Sequence, residues 1–120
     1  MTFEIKGEVP SKKNSRINTR SGRSFPNKKY VEWHKNAISQ IPFIDTFNEP
    51  VYVKLCFYHG DNRRRDSDNG VSSVFDTLVD ANVIPDDRWQ IVKKHEVEND
   101  IDKDNPRVEV TIMAYNDYVT

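Results

Sequence analysis

Residues 63–82 read RRRDSDNGVSSVFDTLVDAN. Three arginines run directly into Asp66 and Asp68, two aspartates that a single residue separates. Apolar residues then recur at spacings of three and four, which predicts an amphipathic helix over residues 69–82. Asp68 lies where this helix begins, so we expect its side chain to cap the first turn. The stretch therefore predicts a cationic and acidic segment joined to the start of a helix.

Two kinds of periodicity predict the rest of the fold. Alternating apolar and polar residues indicate strands over residues 2–9, 50–58, 88–98 and 107–115. A further helix is predicted over residues 28–41, with Asn27 as its N-cap and Pro42 ending it. The order β-α-β-α-β-β predicts one α+β domain over residues 1–120, in which two helices pack on a mostly antiparallel four-stranded sheet.

Positive charge is concentrated in the long loop predicted over residues 10–27. The formal net charge is only −1, so the total gives no indication of a nucleic-acid partner. A solvated loop would also explain an isolated basic run. The second basic run, Arg63 to Arg65, lies beside acidic residues, and the two runs together favour phosphate binding. Between Val9 and Lys29 the basic residues are Lys12, Lys13, Arg16, Arg20, Arg23, Lys28 and Lys29, and none is acidic.

The acidic residues predict a metal site. In an extended segment residues i and i+2 point the same way, so Asp66 and Asp68 can aim at one point. A helix of about fourteen residues is roughly 21 Å long, so Asp87 must return through the adjacent strand to join them. Two carboxylates about 5 Å apart repel by roughly 3 kcal/mol at an effective dielectric near 20, so convergence requires a cation. Oxygen-only ligands favour Mg²⁺ or Mn²⁺.

Simpler roles would explain the same acids one by one. Asp68 could serve only as a helix cap, Asp66 only as the partner of an arginine, and the pair at 86–87 only as turn residues. The neighbouring arginines and Asn69 favour the metal site over these readings. Asp76 and Asp80 follow Ser72 at intervals of four along one row of the helix, and they are weaker candidates. The three histidines, His34, His59 and His95, show no ligand spacing, and only His59 lies near the arginines.

The chain resembles the RusA-like Holliday-junction resolvases, or crossover junction endodeoxyribonucleases, over nearly its whole length. Residues 7–16, GEVPSKKNSR, are similar to the opening strand and basic loop of that family. Its central signature resembles RRDSDN at 64–69, FDTL at 75–78, ANVI at 81–84 and the pair Asp86-Asp87.

This resemblance implies a single RusA-like endonuclease domain that cuts four-way DNA junctions symmetrically as a homodimer. It implies Asp66, Asp68 and Asp87 as catalytic residues and ligands of Mg²⁺, for which Mn²⁺ can substitute, with no small-molecule cofactor. Accessory roles fall to Asp76, Asp86, Arg65 and Ser72. The residues expected to contact DNA are Lys12, Lys13, Asn14, Arg16, Arg20, Arg23, Lys28, Lys29, Arg63 and Arg64.

One position departs from the family pattern. The family commonly has a catalytic lysine one helical turn after the aspartates, where this chain has Ser72. A hydroxyl carries no positive charge, so an arginine among residues 63–65 or a lysine of the loop replaces it, or catalysis is slow. The alternative function is therefore a protein that binds junctions or other branched DNA with little or no catalysis. A metal-dependent phosphotransfer enzyme acting on nucleotides is a further reading, but the sequence shows no base or ribose pocket.

The chain contains no long apolar run and no apolar segment at its N-terminus. We therefore expect a soluble, cytoplasmic protein without a membrane partner. The resemblance adds an association with the nucleoid and an origin in a family often carried by phages and prophages.

Overall fold

The computed structural model describes residues 1–11 and 27–120 in full, together with the backbone of residues 16–18 and 24–26. The main elements follow the predicted β-α-β-α-β-β order, with a short hairpin and a C-terminal helix in addition. In chain order they are β1 (Thr2–Lys6), β2 (Arg16–Asn18), β3 (Ser24–Pro26), α1 (Lys28–Gln40), β4 (Val51–His59), α2 (Val71–Asp80), β5 (Val92–Ile101), β6 (Arg107–Ala114) and α3 (Tyr115–Val119). Within the described residues, no helix is long and apolar enough to cross a membrane.

Four strands form one sheet in the order β1-β6-β4-β5, and β2 pairs with β3 in a separate hairpin. The strand β6 is antiparallel to both β1 and β4, whereas β4 and β5 are parallel. The α+β class and the four strands are confirmed, but the sheet is mixed rather than mostly antiparallel. The reason is that α2 carries the chain back from the end of β4 to the start of β5, so both strands run in the same direction.

The core lies between the sheet and the two long helices. Alternation along β6 places Val108, Val110 and Ile112 on the inner face, where each is fully buried. Trp33 of α1 and Leu78 of α2 belong to the same cluster of buried side chains. Because each such side chain gains about 1.5–3 kcal/mol on burial, this layer supplies most of the force that holds both helices on the sheet. The two predicted helices are thereby confirmed, and α3 is a third helix that the sequence did not predict.

Of the two N-caps predicted from the sequence, one is confirmed and one is wrong. Asn27 caps α1 as predicted, since its Oδ1 accepts a hydrogen bond from the Lys29 backbone N–H at 2.8 Å. The expected cap of α2 by Asp68 is wrong, because Gly70 occupies the N-cap position and no side chain caps the helix there. Residues 67–70, which include Asp68, form a turn before the helix, and the Asp68 side chain is exposed.

Strand β5 begins later than predicted. The apolar residues Trp89 and Ile91 suggested a strand from residue 88, but the backbone turns there, and the carbonyl of Arg88 accepts from the N–H groups of Ile91 and Val92, both at 2.9 Å. The strand then continues to Ile101, three residues beyond its predicted end at residue 98.

Gly70 holds the acidic segment against the core. It is buried, and a Cβ at this position would lie 2.8 Å from Cε1 of Phe57 and 2.9 Å from Cγ1 of Val9. Such distances are far inside van der Waals contact, so only glycine allows the backbone to approach the sheet this closely. The position of Asp66 and Asp68 relative to β4 therefore depends on the missing side chain at residue 70.

We expect Gly70→Ala to lower the free energy of unfolding by about 1–3 kcal/mol, because the added methyl overlaps Phe57 and Val9. Urea unfolding followed by circular dichroism measures the change. Ser72→Ala, at an exposed position two residues further on, is the control and should change it by less than about 0.5 kcal/mol. Equal stability of Gly70→Ala and the unaltered protein would show that the segment is not held this tightly.

Candidate functional site

Asp66 and Asp68 lie beyond the C-terminal ends of the parallel strands β4 and β5. We call this side of the sheet, where the strands end, one edge, and the side where β4 and β5 begin the opposite edge. Asn99, near the end of β5, donates from Nδ2 to the carbonyl of Ser67 at 2.9 Å and so ties the segment to this edge. Both aspartates are exposed. They line a small cavity of about 100 Å³ together with Asn69, Val71 and Ser72. The structure thus brings the two aspartates and Ser72 together around one opening to solvent.

A carboxylate from outside this segment fixes the turn that carries the arginines. Glu8 Oε1 accepts from the Gly60 backbone N–H and from Arg65, both at 3.0 Å, and Glu8 Oε2 lies 2.9 Å from His59 Nδ1. Arg65 also contacts Asp61 Oδ1 at 3.0 Å. We call Glu8, His59, Asp61 and Arg65 the Glu8 cluster. Its hydrogen bonds hold the turn after β4 and also Arg65, the residue that precedes Asp66.

The three arginines differ in exposure, because only Arg65 belongs to the Glu8 cluster. The Arg65 side chain is only 16 % exposed and is held by two carboxylates, so its charge is already paired. Arg63 and Arg64 are exposed. Both border a cavity of about 430 Å³ that Asp66 and Asn69 also line. The backbone N–H of Arg63, followed by the guanidinium of Arg65, lowers the pKa of the Asp61 carboxyl below its usual range.

The start of the basic loop is anchored beside the same aspartates. Ser73 Oγ, buried in α2, donates to the Pro10 carbonyl at 2.6 Å. The neighbouring cleft has a volume of about 720 Å³, and Ser11, Lys29, Arg63 and Asn69 are among the residues that line it. Exposed cations from α1 and from the arginine run therefore face a common groove. The predicted DNA contacts Lys12, Lys13, Asn14, Arg16, Arg20 and Arg23 have side chains that lie outside the described residues.

Asp86 and Asp87 occupy a turn between α2 and β5. Asp86 Oδ1 accepts from the Asp87 backbone N–H at 2.9 Å, and Asp86 Oδ2 pairs with Arg88 at 3.2 Å. These contacts, the backbone N–H first, lower the pKa of the Asp86 carboxyl. Asp87 is the more exposed of the two. Asp86 therefore stabilises the turn, and Asp87 presents its carboxylate to solvent.

Asp87 does not meet Asp66 and Asp68 within one chain. It precedes the start of β5 at Val92, whereas Asn99, which contacts Ser67, is near the strand's end. Val92 and Asn99 are seven steps apart along the strand, roughly 23 Å at 3.3 Å per step. Parallel pairing of β4 and β5 causes this separation, because the crossover through α2 starts at one edge of the sheet and finishes at the other. The role of all three as ligands of one metal stays a prediction.

A different acidic group lies between the two long helices. Among the described residues, His34, Asp76 and Asp80 form the group of three whose ligand atoms lie within 4.8 Å of one another. His34 Nε2 is 2.8 Å from Asp80 Oδ2. Its Nδ1 is 2.9 Å from Thr77 Oγ1, a hydroxyl that itself donates to the Ser73 carbonyl at 2.9 Å. A nitrogen with two carboxylates could hold a divalent transition metal.

Tyr30 completes the contacts between α1 and α2 at this group. Its hydroxyl donates to Asp76. Burial, and next the hydrogen bond to Asp76, raise the pKa of Tyr30. Neither contact was visible in the sequence, where His34 stood alone and Asp76 lay on an outward row of α2. Detecting the group requires knowing that α1 packs on α2, which no local pattern shows.

The family to which these features correspond is identified by its sequence profile. The profile described as Endodeoxyribonuclease RusA matches residues 6–113. The chain belongs to this family. A search of curated proteins gave no match. RusA membership implies an endonuclease that resolves Holliday junctions and binds branched DNA.

The match to RusA includes both edges of the sheet described above. Asp66 and Asp68 at one edge, Asp87 at the other and Ser72 in α2 all fall within the matched residues. Ser72 is exposed and lines the small cavity with both aspartates. The side chain of residue 72 therefore borders the cavity that Asp66 and Asp68 line, but in this chain it is a hydroxyl without charge. Arg63 and Arg64 are the exposed cations nearest to that position in the sequence.

We expect Glu8→Gln to lower the free energy of unfolding by about 1–2 kcal/mol, because an amide cannot accept the same charge-assisted bonds from Arg65 and Gly60. The magnitude is modest since the Glu8 side chain is 34 % exposed. Glu32→Gln is the matched control, because Glu32 is 64 % exposed and lies 3.9 Å from Lys28. Chemical unfolding of both variants measures the difference. Equal losses in the two would contradict the role of the Glu8 cluster.

Proposed function

We propose that this chain is a Mg²⁺-dependent endonuclease, with Mn²⁺ as a substitute, that cuts four-way DNA junctions symmetrically as a homodimer in the cytoplasm. The observation that carries the proposal is the position of Asp66 and Asp68. They are exposed at the edge of the parallel strands, with exposed arginines and the anchor of the basic loop close by. Acidic ligands beside cations suit hydrolysis of a phosphodiester, which is an anion.

The donor atoms at this edge fit a hard divalent cation. Asp66, Asp68 and the amide of Asn69 offer oxygen ligands around the cavity they line. Bound there, the ion would lower the pKa of a coordinated water and offset negative charge on the phosphate. The residues of the chain orient the substrate: Arg63 and Arg64 contact phosphate oxygens, and the Glu8 cluster keeps the arginine turn in place. The same arginines compensate for the charge that Ser72 lacks.

The basic loop and the start of α1 supply affinity for the DNA backbone. Lys28 and Lys29 are exposed at the first turn of α1. Lys29 borders the cleft that also contains Arg63. Cations along a cleft grip successive phosphates without reading sequence, so binding depends on shape and salt rather than on bases. Such a surface suits a branched substrate whose arms differ in sequence.

A homodimer would complete the metal site. Because Asp87 lies at the opposite edge of the sheet from Asp66 and Asp68, one chain alone supplies two of the three carboxylates to a site. A two-fold axis that places the start of β5 in one subunit beside the end of β5 in its partner would bring Asp87 to the partner's aspartate pair. The same axis generates two identical sites. Symmetric cutting of a four-way junction requires two such sites, one for each cut strand.

A junction-binding protein with little catalysis is the second candidate. The serine at residue 72 favours it, because an uncharged side chain faces the metal centre where the family commonly has a cation. Tight junction binding that survives chelation of metals, without product at any Mg²⁺ or Mn²⁺ concentration, would support this candidate over the nuclease.

Replacing single carboxylates tests the nuclease. We expect Asp66→Asn, Asp68→Asn and Asp87→Asn each to reduce junction cleavage at least about 100-fold while leaving junction binding within a few-fold, because the fold does not depend on these exposed groups. Cleavage of a labelled synthetic junction in Mg²⁺ measures the rate, and gel shift measures binding.

Asp80→Asn is the matched control, since Asp80 is an exposed aspartate near the other end of α2. It should cleave at the normal rate. Loss of cleavage in Asp80→Asn, with Asp66→Asn unaffected, would place the functional metal at His34, Asp76 and Asp80 instead.

Mixed dimers test the shared site. Asp66→Asn and Asp87→Asn chains are each inactive alone, but a mixed dimer holds one site with all carboxylates intact if Asp87 comes from the partner. We expect mixing the two variants to restore nicking of one strand of the junction. If each chain builds its own site, mixing restores nothing. Chains that carry both substitutions, mixed with either single variant, are the control.

A further inference from the structure

The turn that carries Asp87 also carries an unusual tryptophan. We call residues 86–91 the Asp87 turn. Its conformation is fixed by the Arg88 carbonyl, which accepts from two backbone N–H groups, and by the Asp86 carboxylate, which accepts from the Asp87 N–H. Trp89 lies at the tip of this turn. The backbone of this turn therefore fixes where the Trp89 Cα lies relative to Asp87.

The two tryptophans of the chain lie in opposite surroundings. Trp33 is 8 % exposed and belongs to the core, whereas Trp89 is 75 % exposed. Burying an indole is among the largest single gains that a small fold can make. The fold makes this gain with Trp33 and leaves Trp89 in solvent, so packing does not explain the choice of tryptophan at residue 89.

The neighbours of Trp89 point to nucleic acid rather than to a protein surface. Asp87, Arg88 and Gln90, which flank Trp89 in the chain, are all exposed, so its immediate neighbours along the turn are polar or charged. The centre of a protein interface is typically depleted of charged residues. A flat, exposed aromatic ring instead matches how proteins bind bases, by stacking the ring on the base. Arg88 beside it pairs with Asp86 at 3.2 Å but keeps 59 % of its side chain exposed, so it can still approach a phosphate.

We propose that Trp89 stacks on a base at the branch point of the junction, next to the phosphodiester that Asp87 helps to cut. The proposal rests on the proposed role of Asp87 in the nuclease centre. In the open form of the junction a base pair at the branch point has no stacking neighbour on one side, so an indole can cover that face at little cost in unstacking. In the interior of a linear duplex each base pair is covered on both faces, so no uncovered base face is available to Trp89. The residue would therefore favour branched over linear DNA.

The test compares binding of a four-way junction with binding of a linear duplex of the same arm sequence, in Ca²⁺ to prevent cutting. Trp89→Ala should weaken junction binding about 10- to 100-fold and leave duplex binding within about two-fold. Trp89→Phe should retain most of the affinity for junctions. Val119→Ala, which alters an exposed apolar side chain of α3, is the control and should bind as the unaltered protein does. Equal junction affinity in Trp89→Ala and the unaltered protein would overturn the proposal.

Fluorescence supplies a readout that a structural role would not move. The emission lost in Trp89→Phe is that of Trp89, and it should be quenched when junction is added but not when duplex is added. A junction with 2-aminopurine at the branch point reports the same contact from the DNA side. Weaker dimerisation of Trp89→Ala in sedimentation, without this quenching, would assign Trp89 to the subunit interface and overturn the proposal.

Different experimental outcomes would contradict the stacking proposal and the nuclease proposal. Asp87→Asn should lose cutting but keep the quenching of Trp89. If the unaltered protein cuts no junction in Mg²⁺ or Mn²⁺ and the quenching is still seen, the nuclease is lost and the stacking contact stands. If cutting is normal and Trp89→Ala binds and cuts like the unaltered protein, the nuclease stands and the stacking contact is lost.

Discussion

Parallel pairing of β4 with β5 is the constraint on which the rest of the molecule depends. Because the two strands run in the same direction, the connection between them must cross the full height of the sheet, and α2 makes that crossing. Residues before α2 are therefore placed at one edge, and residues after it at the other. The placement of Asp66 and Asp68 at one edge, and of Asp87 and Trp89 at the other, follows from this one connection.

Each edge is then fixed by a small number of contacts. At the edge with Asp66, the carboxylate of Glu8 joins β4, its following turn and the segment after β1, while Gly70 removes the side chain that would separate the acidic segment from the core. At the edge with Asp87, backbone hydrogen bonds and Asp86 hold the turn. The side chains of Asp66, Asp68 and Asp87 remain exposed at the two edges, because other residues make the contacts that hold each turn.

Local patterns in the sequence were sufficient for most elements but not for their assembly. Alternation in β4 and β6 and the cap at Asn27 depend on near neighbours, so they could be predicted, and the family motifs located the aspartates. The parallel pairing could not, since strand direction depends on where α2 ends. The start of β5 was misplaced because Trp89 was counted among apolar strand residues. His34 with Asp76 and Asp80, and Glu8 with Arg65, are contacts between residues far apart in the chain, and neither spacing nor composition reveals them.

The hydrogen bond from Ser73 to the Pro10 carbonyl has a consequence for how such a protein can be engineered. The basic segment is tied at its beginning to α2 and at its end to α1, through the cap at Asn27. Both attachments lie outside residues 12–26, so exchanges within that segment leave these two anchoring hydrogen bonds in place. An engineer could therefore graft a different basic segment between the same two anchors.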